Sequence, residues 1–334
     1  MIKAYQLDVA VTRGEGAESE HRVHAAVVGE GDELLGASRD AHAFTFWRSC
    51  SKPFQIIPFL ASGGFDALGW DDGQLAVSCA SHGGEPEHVA LVEKMLHDIG
   101  LEEGDLACGP HEPSSQRGAK ILREAGGRPT RLHNNCSGKH AAMLALARHK
   151  GWPTQGYEQR EHHVQRGILH EVALWTDVPC SKLVQAVDGC GVVVFGMTLE
   201  RMARAYSRFA IAAARGEEFP RRVVDAMGKH PFLVGGTDRF DSALIAETGG
   251  RVVSKVGAEG VHCALLLDRG IGVAVKVEDG AQRAQVPALL RLLQELDALP
   301  WELSPRLAEF MRRPVKNTRG ESVGEVVMRA DLAD

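Results

Sequence analysis

The stretch FWRSCSKPFQIIPFL, residues 46–60, joins a polar cluster to an apolar segment. Two hydroxyls, a thiol and two cations in residues 48–52 are followed at once by Pro53 and a run of large apolar side chains. Proline is tolerated in the first turn of a helix, where backbone N–H groups have no intrahelical partner. The stretch therefore predicts a buried helix that begins at a cluster of chemically useful side chains.

The sequence on either side predicts strands at both ends of the chain and helices between them. The first 45 residues favour a meander of antiparallel strands, and residues from Pro53 to about 180 carry apolar side chains at helical spacing. A loop is expected around VDGCGVVVFGMT, followed by helices, three strands in residues 250–280, a helix, and a last strand near the end. The two strand groups can join into one sheet if the chain leaves that sheet after the first group and returns to it after the helices. One mixed sheet is therefore expected.

These elements predict a single α/β (α+β) domain over residues 1–334. Its mixed or antiparallel sheet, flanked by helices, is expected from about residues 1–50 and 186–334, with an inserted helical lobe over about 51–185.

Composition excludes several classes of protein. The 334 residues are 44% hydrophobic and 25% charged, with a net charge of −6 and no Lys/Arg-rich run, so no nucleic acid is expected as a partner. No stretch approaches the roughly 20 apolar residues of a membrane span. The first residues lack the apolar core of a signal peptide, and the seven cysteines show irregular spacing without CxxC. A cytoplasmic protein with reduced thiols is expected.

Ser49 and Lys52 form an S-x-x-K pair within the opening stretch. Residues three apart share a helix face, and a lysine whose pKa is lowered by burial or nearby cations can act as the base for a serine nucleophile. Pro53 disfavours helical geometry at Lys52. The alternative interpretation is a serine helix cap beside a solvated lysine.

Two further segments extend this pair into an ordered set. Ser81 lies in CASHGGE (79–85), before a Gly-Gly break, and Lys255 begins K-V-G on a predicted strand. S-x-x-K, a serine-led turn and K-x-G follow the order found in serine β-lactamases and penicillin-binding proteins. The second segment is not S-D-N and the third lacks threonine, so coincidence remains the alternative.

A third constellation combines thiols with a lysine and a carboxylate. Cys136 and Lys139 lie three residues apart at a predicted helix start, and Asp188 and Cys190 share a glycine-bounded loop. Thiolates bind zinc, yet this is not a standard zinc pattern, and small buried thiols beside tight turns are the alternative. His140 flanks this constellation and has either a supporting or a purely structural role.

The segment VGGTDRFD (234–241) is interpreted first as a turn with an aspartate capping the next helix. The alternative is a contact with substrate.

Together these segments resemble the rhizobial-type (class 3) L-asparaginases of the asparaginase II family. The similarity runs over roughly residues 5–330 and rests on six blocks: RSCSKPFQ, CASHGGEPEHV, HNNCSGKHAAML, DGCGVVVFGMTLERMARAY, HPFLVGGTDRFD and KVGAEGVH. The resemblance implies a serine β-lactamase-like fold, a homodimer, and hydrolysis of L-asparagine to L-aspartate and ammonia through an acyl-enzyme.

The resemblance also implies roles for individual residues. Ser49 matches the family's nucleophile and Lys52 its partner. Ser81 and Lys255 match a second active-site serine and its lysine partner, and from the sequence either tandem could hold the nucleophile. Three further positions match the ligands of a Zn²⁺ ion: Cys136, Lys139 and Cys190. Three others match or neighbour the substrate-binding region: Arg48, Asp188 and His140. A glutaminase, a β-lactamase-like amidohydrolase, and a zinc- or thiol-sensing binding protein on the same scaffold are the alternatives.

Overall fold

The computed structural model describes residues 2–332. The chain divides into two compact units. Unit 1 comprises Met1–Thr45, Met197–Ile211 and Val256–Asp334, and unit 2 comprises Phe46–Gly196 and Ala212–Lys255. Residues 212–255, which the sequence analysis assigned to the sheet portion, belong to unit 2 together with the helical segments.

The strands in chain order are β1 (Lys3–Ala4), β2 (Val9–Arg13), β3 (Gly16–His21), β4 (Val23–Val28), β5 (Leu34–Ser38), β6 (Phe44–Phe46), β7 (Val184–Val187), β8 (Val193–Thr198), β9 (Val252–Val256), β10 (Val261–Leu266), β11 (Ile271–Val277), β12 (Arg313–Lys316) and β13 (Ser322–Met328).

The α-helices in chain order are α1 (Lys52–Gln55), α2 (Ile57–Ala61), α3 (Gly64–Ala67), α4 (Asp72–Ser78), α5 (Pro86–Asp98), α6 (Gln116–Glu124), α7 (Ser137–His149), α8 (His163–Thr176), α9 (Leu199–Ala214), α10 (Glu218–Lys229), α11 (Pro231–Val234), α12 (Phe240–Glu247), α13 (Gln282–Glu295) and α14 (Pro305–Met311). No helix among the described residues is long and apolar enough to cross a membrane.

Unit 1 is built on two sheets. One contains β1, β5, β4, β11 and β10 in that order, and the other contains β12, β13, β2 and β3. The central strand β11 has the sequence IGVAVKV and is buried along most of its length. Gly272 in this strand has no side chain, and a Cβ there would lie 2.0 Å from the carbonyl oxygen of Ala203 in α9. Glycine therefore permits the close packing of this helix on the sheet.

The structure corrects the expected single sheet and antiparallel meander. The strands of the first 45 residues divide between sheets, and β1 pairs with β5 in parallel. The expected last strand is a pair, β12 and β13. The expected loop around residues 187–198 is largely the β7–β8 hairpin. Alternating apolar residues predict a strand, but its partner is determined by packing and register.

Helix α7 lies in the core of unit 2. Its residues from Ser137 to Ala147 are all buried. At Gly138 a Cβ would lie only 2.4 Å from the carbonyl oxygen of Val77 in α4. The absence of a side chain at Gly138 therefore permits the close approach of these two helices. The first turn of α7 is thereby fixed beside the segment that follows α4.

Candidate active site

The predicted site residues all belong to unit 2. Arg48 and Ser49 lie in the turn before α1, Lys52 begins α1, and Ser81 follows α4. The other six lie at the start of α7 (Cys136, Lys139 and His140), in the β7–β8 turn (Asp188 and Cys190) and on β9 (Lys255).

Ser49 lies in a short turn with an unusual backbone. A 3-10 turn, Arg48–Ser51, leads directly into α1. Arg48 has a φ of 51°, in the left-handed region that costs a non-glycine residue conformational energy. Trp47 before it is buried, and its N–H donates to Phe195 O at 2.8 Å. The start of the turn is therefore anchored by packing and by β8, and Ser49 itself is partly exposed.

Ser81 lies between two buried lysines. Its hydroxyl is 2.7 Å from Lys255 Nζ and 3.1 Å from Lys52 Nζ. Lys52 also donates to the carbonyl oxygens of Ala80 and Asn135. The exposed fractions of Ser81, Lys52 and Lys255 are 3%, 1% and 0%. Two amino groups and one hydroxyl are thus held in contact away from water.

Burial and the charge of Lys52 lower the pKa of Lys255 to about 8. Desolvation disfavours the ammonium form, and a second ammonium nearby disfavours it further. Near neutral pH an appreciable fraction of Lys255 is therefore neutral and able to accept a proton from Ser81.

The side chains of Ser49 and Lys52 are not hydrogen-bonded to each other among the described residues; the two residues are joined only by Lys52 N–H, which donates to Ser49 O. The Nζ of Lys52 is directed to the 80–81 segment and to Asn135. The S-x-x-K spacing predicts a possible contact between residues on one helix face, but a 3-10 turn ending at Ser51 precedes the α-helical turn here. Tertiary contacts direct this lysine toward the second serine.

Arg48 and Asp188 form an ion pair. Arg48 Nε donates to Asp188 Oδ1 at 2.7 Å. Burial raises the pKa of Asp188, but the charges of Lys139 and Arg48 outweigh burial and hold it below its usual value. The aspartate opens the β7–β8 turn, where its N–H donates to Val192 O at 2.8 Å. An ionised carboxylate is thus fixed beside the turn that contains Ser49.

Cys136, Lys139 and Cys190 are also brought together. Lys139 Nζ lies 3.2 Å from Cys190 Sγ. The hydrogen bond from Cys136 lowers the pKa of Cys190 to about 5 against the opposing effect of burial, with Lys139 contributing. The same bond, together with burial, raises the pKa of Cys136 to about 12. Burial lowers the pKa of Lys139, but the two thiols and Asp188 raise it overall.

This donor set is chemically suited to a soft divalent cation. The amine of Lys139 contacts the sulfur of Cys190, the Cys136 thiol interacts with Cys190, and metal binding would displace the protons of Cys136 and Lys139. Within residues 2–332 no group of three or more His, Cys, Asp or Glu side chains could hold a metal ion. A metal at this position would therefore need the amine of Lys139 as a ligand.

His140 does not face solvent. It is completely buried, and its Nδ1 lies 2.6 Å from the hydroxyl of Tyr157. Burial and the charge of Lys139 lower the pKa of His140 to about 3. Tyr157 also accepts a hydrogen bond from Ala107 N at 2.9 Å. His140 is therefore a neutral group that ties α7 to two other segments of unit 2.

Asn135, which the sequence analysis did not name as a site residue, connects the lysine pair with the thiols. Its carbonyl oxygen accepts from Lys52 Nζ and from His82 N, both at 3.3 Å. Its Oδ1 lies 3.1 Å from Cys136 Sγ. The Asn-Asn pair before Cys136 could have indicated this role, because asparagine side chains commonly bond to nearby backbone in turns.

Glu85 was also not predicted. It is fully buried, and it accepts hydrogen bonds from the N–H and the hydroxyl of Thr237, both at 2.7 Å, and from Arg117 at 2.5 Å. Burial raises the pKa of Glu85, but these hydrogen bonds lower it overall. The carboxylate thereby holds the 234–239 segment against the segment that contains Ser81.

Comparisons with known proteins point to one family. A family model described as L-asparaginase II matches residues 9–328. A search of curated proteins returned no match.

Similarity to solved structures is weak. The crystal structure of Mglu in its native form has a TM-score of 0.47 and 15% identity, covering 85% of this chain and 66% of that chain. This chain thus spans slightly less than two thirds of the Mglu chain. Bacillus glutaminase in the presence of 4.3M NaCl has a TM-score of 0.37 and 14% identity, covering 83% of this chain and 91% of that chain. Likenesses of this size assign neither a fold nor an activity.

Proposed function

Because the chain belongs to the L-asparaginase II family, we propose that it hydrolyses L-asparagine to L-aspartate and ammonia. The observation that carries the proposal is the hydroxyl of Ser81 between the Nζ atoms of Lys255 and Lys52. A buried serine with one lysine of lowered pKa is an arrangement suited to proton transfer in acyl transfer.

The proposed first step is attack by Ser49 on the side-chain amide. Ser49 is partly exposed, whereas Ser81 is 3% exposed, so Ser49 is the more accessible nucleophile. The hydroxyl proton of Ser49 passes to the neutral amine of Lys52. To receive it, Lys52 Nζ must turn its lone pair toward Ser49, which weakens or breaks its hydrogen bond to Ser81. Collapse of the tetrahedral adduct breaks the C–N bond, forms an aspartyl ester on Ser49, and releases ammonia after protonation of the leaving nitrogen.

The proposed second step is hydrolysis of that ester. A water molecule attacks the ester carbonyl and gives its proton to the Ser81–Lys255 pair, and Ser49 recovers a proton as L-aspartate leaves. The lowered pKa of Lys255 makes it a suitable acceptor in this step. Backbone N–H groups stabilise the oxyanion in both steps. The alternative, attack by Ser81, exchanges the roles of the two serines.

Arg48 and Asp188 are the proposed substrate-orienting pair. The ionised carboxylate of Asp188 is suited to the substrate α-ammonium group, and Arg48 holds that carboxylate in place. His140 is buried, which supports a positioning role for it behind the start of α7.

We propose that Cys136, Lys139 and Cys190 hold a Zn²⁺ ion. The contact of Lys139 Nζ with Cys190 Sγ and the thiolate character of Cys190 support this ligand set. Bound zinc would supply positive charge that orients Asp188 and the polar groups of the substrate. The proposed steps at Ser49, Ser81 and the two lysines do not pass through it.

Four broader features complete the proposal. The resemblance of the sequence blocks supports a serine β-lactamase-like arrangement of the helices and strands, and a homodimer. The composition supports a cytoplasmic location and the absence of nucleic-acid partners. The mass of the assembly in solution tests the homodimer directly.

Ammonia release from L-asparagine, L-glutamine and a chromogenic lactam tests the function. Turnover of asparagine well above the other two supports the proposal. Preference for glutamine favours a glutaminase, an activity that the family description does not name. Lactam cleavage favours a β-lactamase-like hydrolase. No turnover of any of them, with zinc bound at the thiols, favours the binding-protein alternative.

A further inference from the structure

Arg239 is a half-buried cation without a close partner. It lies between α11 and α12, at the end of the VGGTDRFD segment. Among residues 2–332 its guanidinium makes no hydrogen bond and has no carboxylate within 4.0 Å. Guanidinium groups removed from water normally have acceptors for their N–H groups. The donors of this half-buried group are therefore open to solvent or to a bound anion.

The expected explanation for this segment was helix capping, and the structure does not support it. Arg239 itself occupies the N-cap position of α12, and no side-chain capping bond is made there. Asp241 lies within the first turn and accepts a hydrogen bond from Ser254 at 2.5 Å. The alternative interpretation of this segment from the sequence is a contact with substrate, and Arg239 is the residue of the segment that could make it.

The segment that bears Arg239 is attached to the Ser81 segment at two points. Ser81 N donates to Val234 O at 3.1 Å, and Thr237 is bonded to Glu85. Between these points the side-chain stem of Arg239 crosses Gly235, where a Cβ would lie 2.8 Å from Arg239 Cβ. The glycine leaves room for the arginine to lie against the same backbone that is bonded to Ser81.

Asp241 connects Arg239 with the lysine of the second tandem, Lys255. Burial lowers the pKa of Arg239, and Asp241 opposes that effect. Asp241 likewise opposes the lowering of the pKa of Lys255. The contacts agree, because Asp241 lies two residues after Arg239 and accepts from Ser254, the residue before Lys255. Arg239 is thus in the electrostatic neighbourhood of the Ser81–Lys255 pair.

We propose that Arg239 binds the α-carboxylate of the amino-acid substrate. The proposal rests on the proposed function, because it assigns one of the three polar groups of asparagine. Asp188 is suited to the α-ammonium, and the Ser-Lys tandems act on the side-chain amide. Arg48 is already paired with Asp188, whereas Arg239 has its donors available. A planar guanidinium is the group best matched to bidentate binding of a carboxylate.

The test compares two substrates on two variants. L-Asparagine carries the α-carboxylate, and L-aspartic acid diamide carries a neutral amide in its place. R239Q is expected to lower kcat/KM for asparagine by roughly 100-fold, mainly through KM, because a charged donor to a desolvated anion is lost. For the diamide the change is expected to stay within about threefold, since no anion is present. R239K is expected to lie between wild type and R239Q, because lysine keeps the charge without the planar fork.

A matched control uses another arginine of unit 2. Arg221 on α10 is exposed and paired with Asp225 at 2.8 Å, so R221Q is expected to leave both substrates unaffected. Thermal unfolding of each variant reports whether the fold is retained. If R239Q does not fold, R239K is used to compare asparagine with the diamide.

Binding of L-aspartate by calorimetry separates this inference from the proposed function. Weaker binding to R239Q than to wild type supports the inference even where no ammonia is released. Wild-type turnover of asparagine with an unchanged KM in R239Q overturns the inference and leaves the proposed function intact. A loss of equal size for asparagine and the diamide also overturns it, and a wild-type protein that neither binds aspartate nor hydrolyses asparagine overturns both.

Discussion

Lys255 Nζ lies 2.7 Å from Ser81 Oγ, with both side chains buried. An ammonium group in this position donates to the serine, whereas a neutral amine accepts its proton. The two states are close in free energy because burial and Lys52 lower the pKa of Lys255 to about 8. Near neutral pH both forms of Lys255 are therefore populated, and the neutral amine can act as the base for Ser81.

Replacing either serine tests the division of roles between the tandems. Ser49→Ala is expected to reduce kcat for asparagine by at least about 10⁴-fold, because the covalent step is lost. Ser81→Ala is expected to reduce it by about 10²–10³-fold, as expected for lost proton transfer. Ser78→Ala is a suitable control, since its hydroxyl bonds only locally, to Gln74 O at 2.7 Å.

Trapping the acyl-enzyme then identifies the nucleophile. Mass spectrometry of the protein quenched during turnover is expected to find the aspartyl ester on Ser49. An ester on Ser81 instead would exchange the proposed roles of the two serines.

The pH dependence of kcat/KM reports the ionisation of Lys255. The pKa of this lysine is lowered to about 8, so it is mostly protonated below that pH and neutral above it. If the neutral amine is the base, kcat/KM is expected to rise about tenfold per pH unit below pH 8 and to level off above it. Lys255→Met should remove this limb, whereas Lys229→Met, an exposed residue paired with Asp72, should keep it. A flat wild-type profile between pH 6 and pH 9 would count against Lys255 as the base.

The same lysine affects stability with a defined sign. Its folded pKa is lowered below the unfolded value, so the unfolded state binds more protons between about pH 8 and 10.5. The contribution of Lys255 to the free energy of unfolding therefore increases as pH rises through that window. Lys255→Met is expected to flatten this part of the curve of unfolding free energy against pH, measured by urea titration.

Metal content tests the thiol site. Wild-type protein is expected to bind about one zinc per chain, and Cys190→Ser should lose most of it because a soft ligand is replaced by a hard, uncharged one. Cys180→Ser is the control, since Cys180 lies near His170, at 3.7 Å, and outside the proposed ligand set. Elemental analysis after dialysis against a weak chelator gives the result. Undiminished zinc in Cys190→Ser would remove this residue from the ligand set.

Gly272→Ala tests the packing of unit 1 separately from the chemistry. The added methyl would lie 2.0 Å from Ala203 O and 2.2 Å from Ser207 N, so α9 must shift away from β11. The expected cost is about 1–3 kcal/mol of unfolding free energy. Gly16→Ala in the exposed strand β3 has only Arg13 O nearby, at 3.9 Å, and should cost much less. Equal stabilities of the two variants would contradict the close approach.

The sequence predicted local structure well where periodicity was strong. Helix α5 begins at Pro86, between Glu85 and Glu87, and ends before Gly100, as its composition indicates. The three strands β9, β10 and β11 lie where glycine turns separate apolar runs. Hairpin β7–β8 was missed because the glycine-rich turn around residue 190 suggested a loop, although VVVFG beside it carries the β-branched residues of a strand.

By itself, the sequence determined which reactive groups are present and in what order: the serines and lysines of the two tandems, the thiols, and the family-specific blocks around them. Only the tertiary structure decided their partners. Lys52 bonds Ser81 rather than Ser49, His140 is buried against Tyr157, and Arg239 lacks a close acceptor within residues 2–332. The physical reason is range, because periodicity encodes contacts within about four residues. The Lys255–Ser81 bond joins groups 174 residues apart, which only the packing of α4, α7 and β9 brings together.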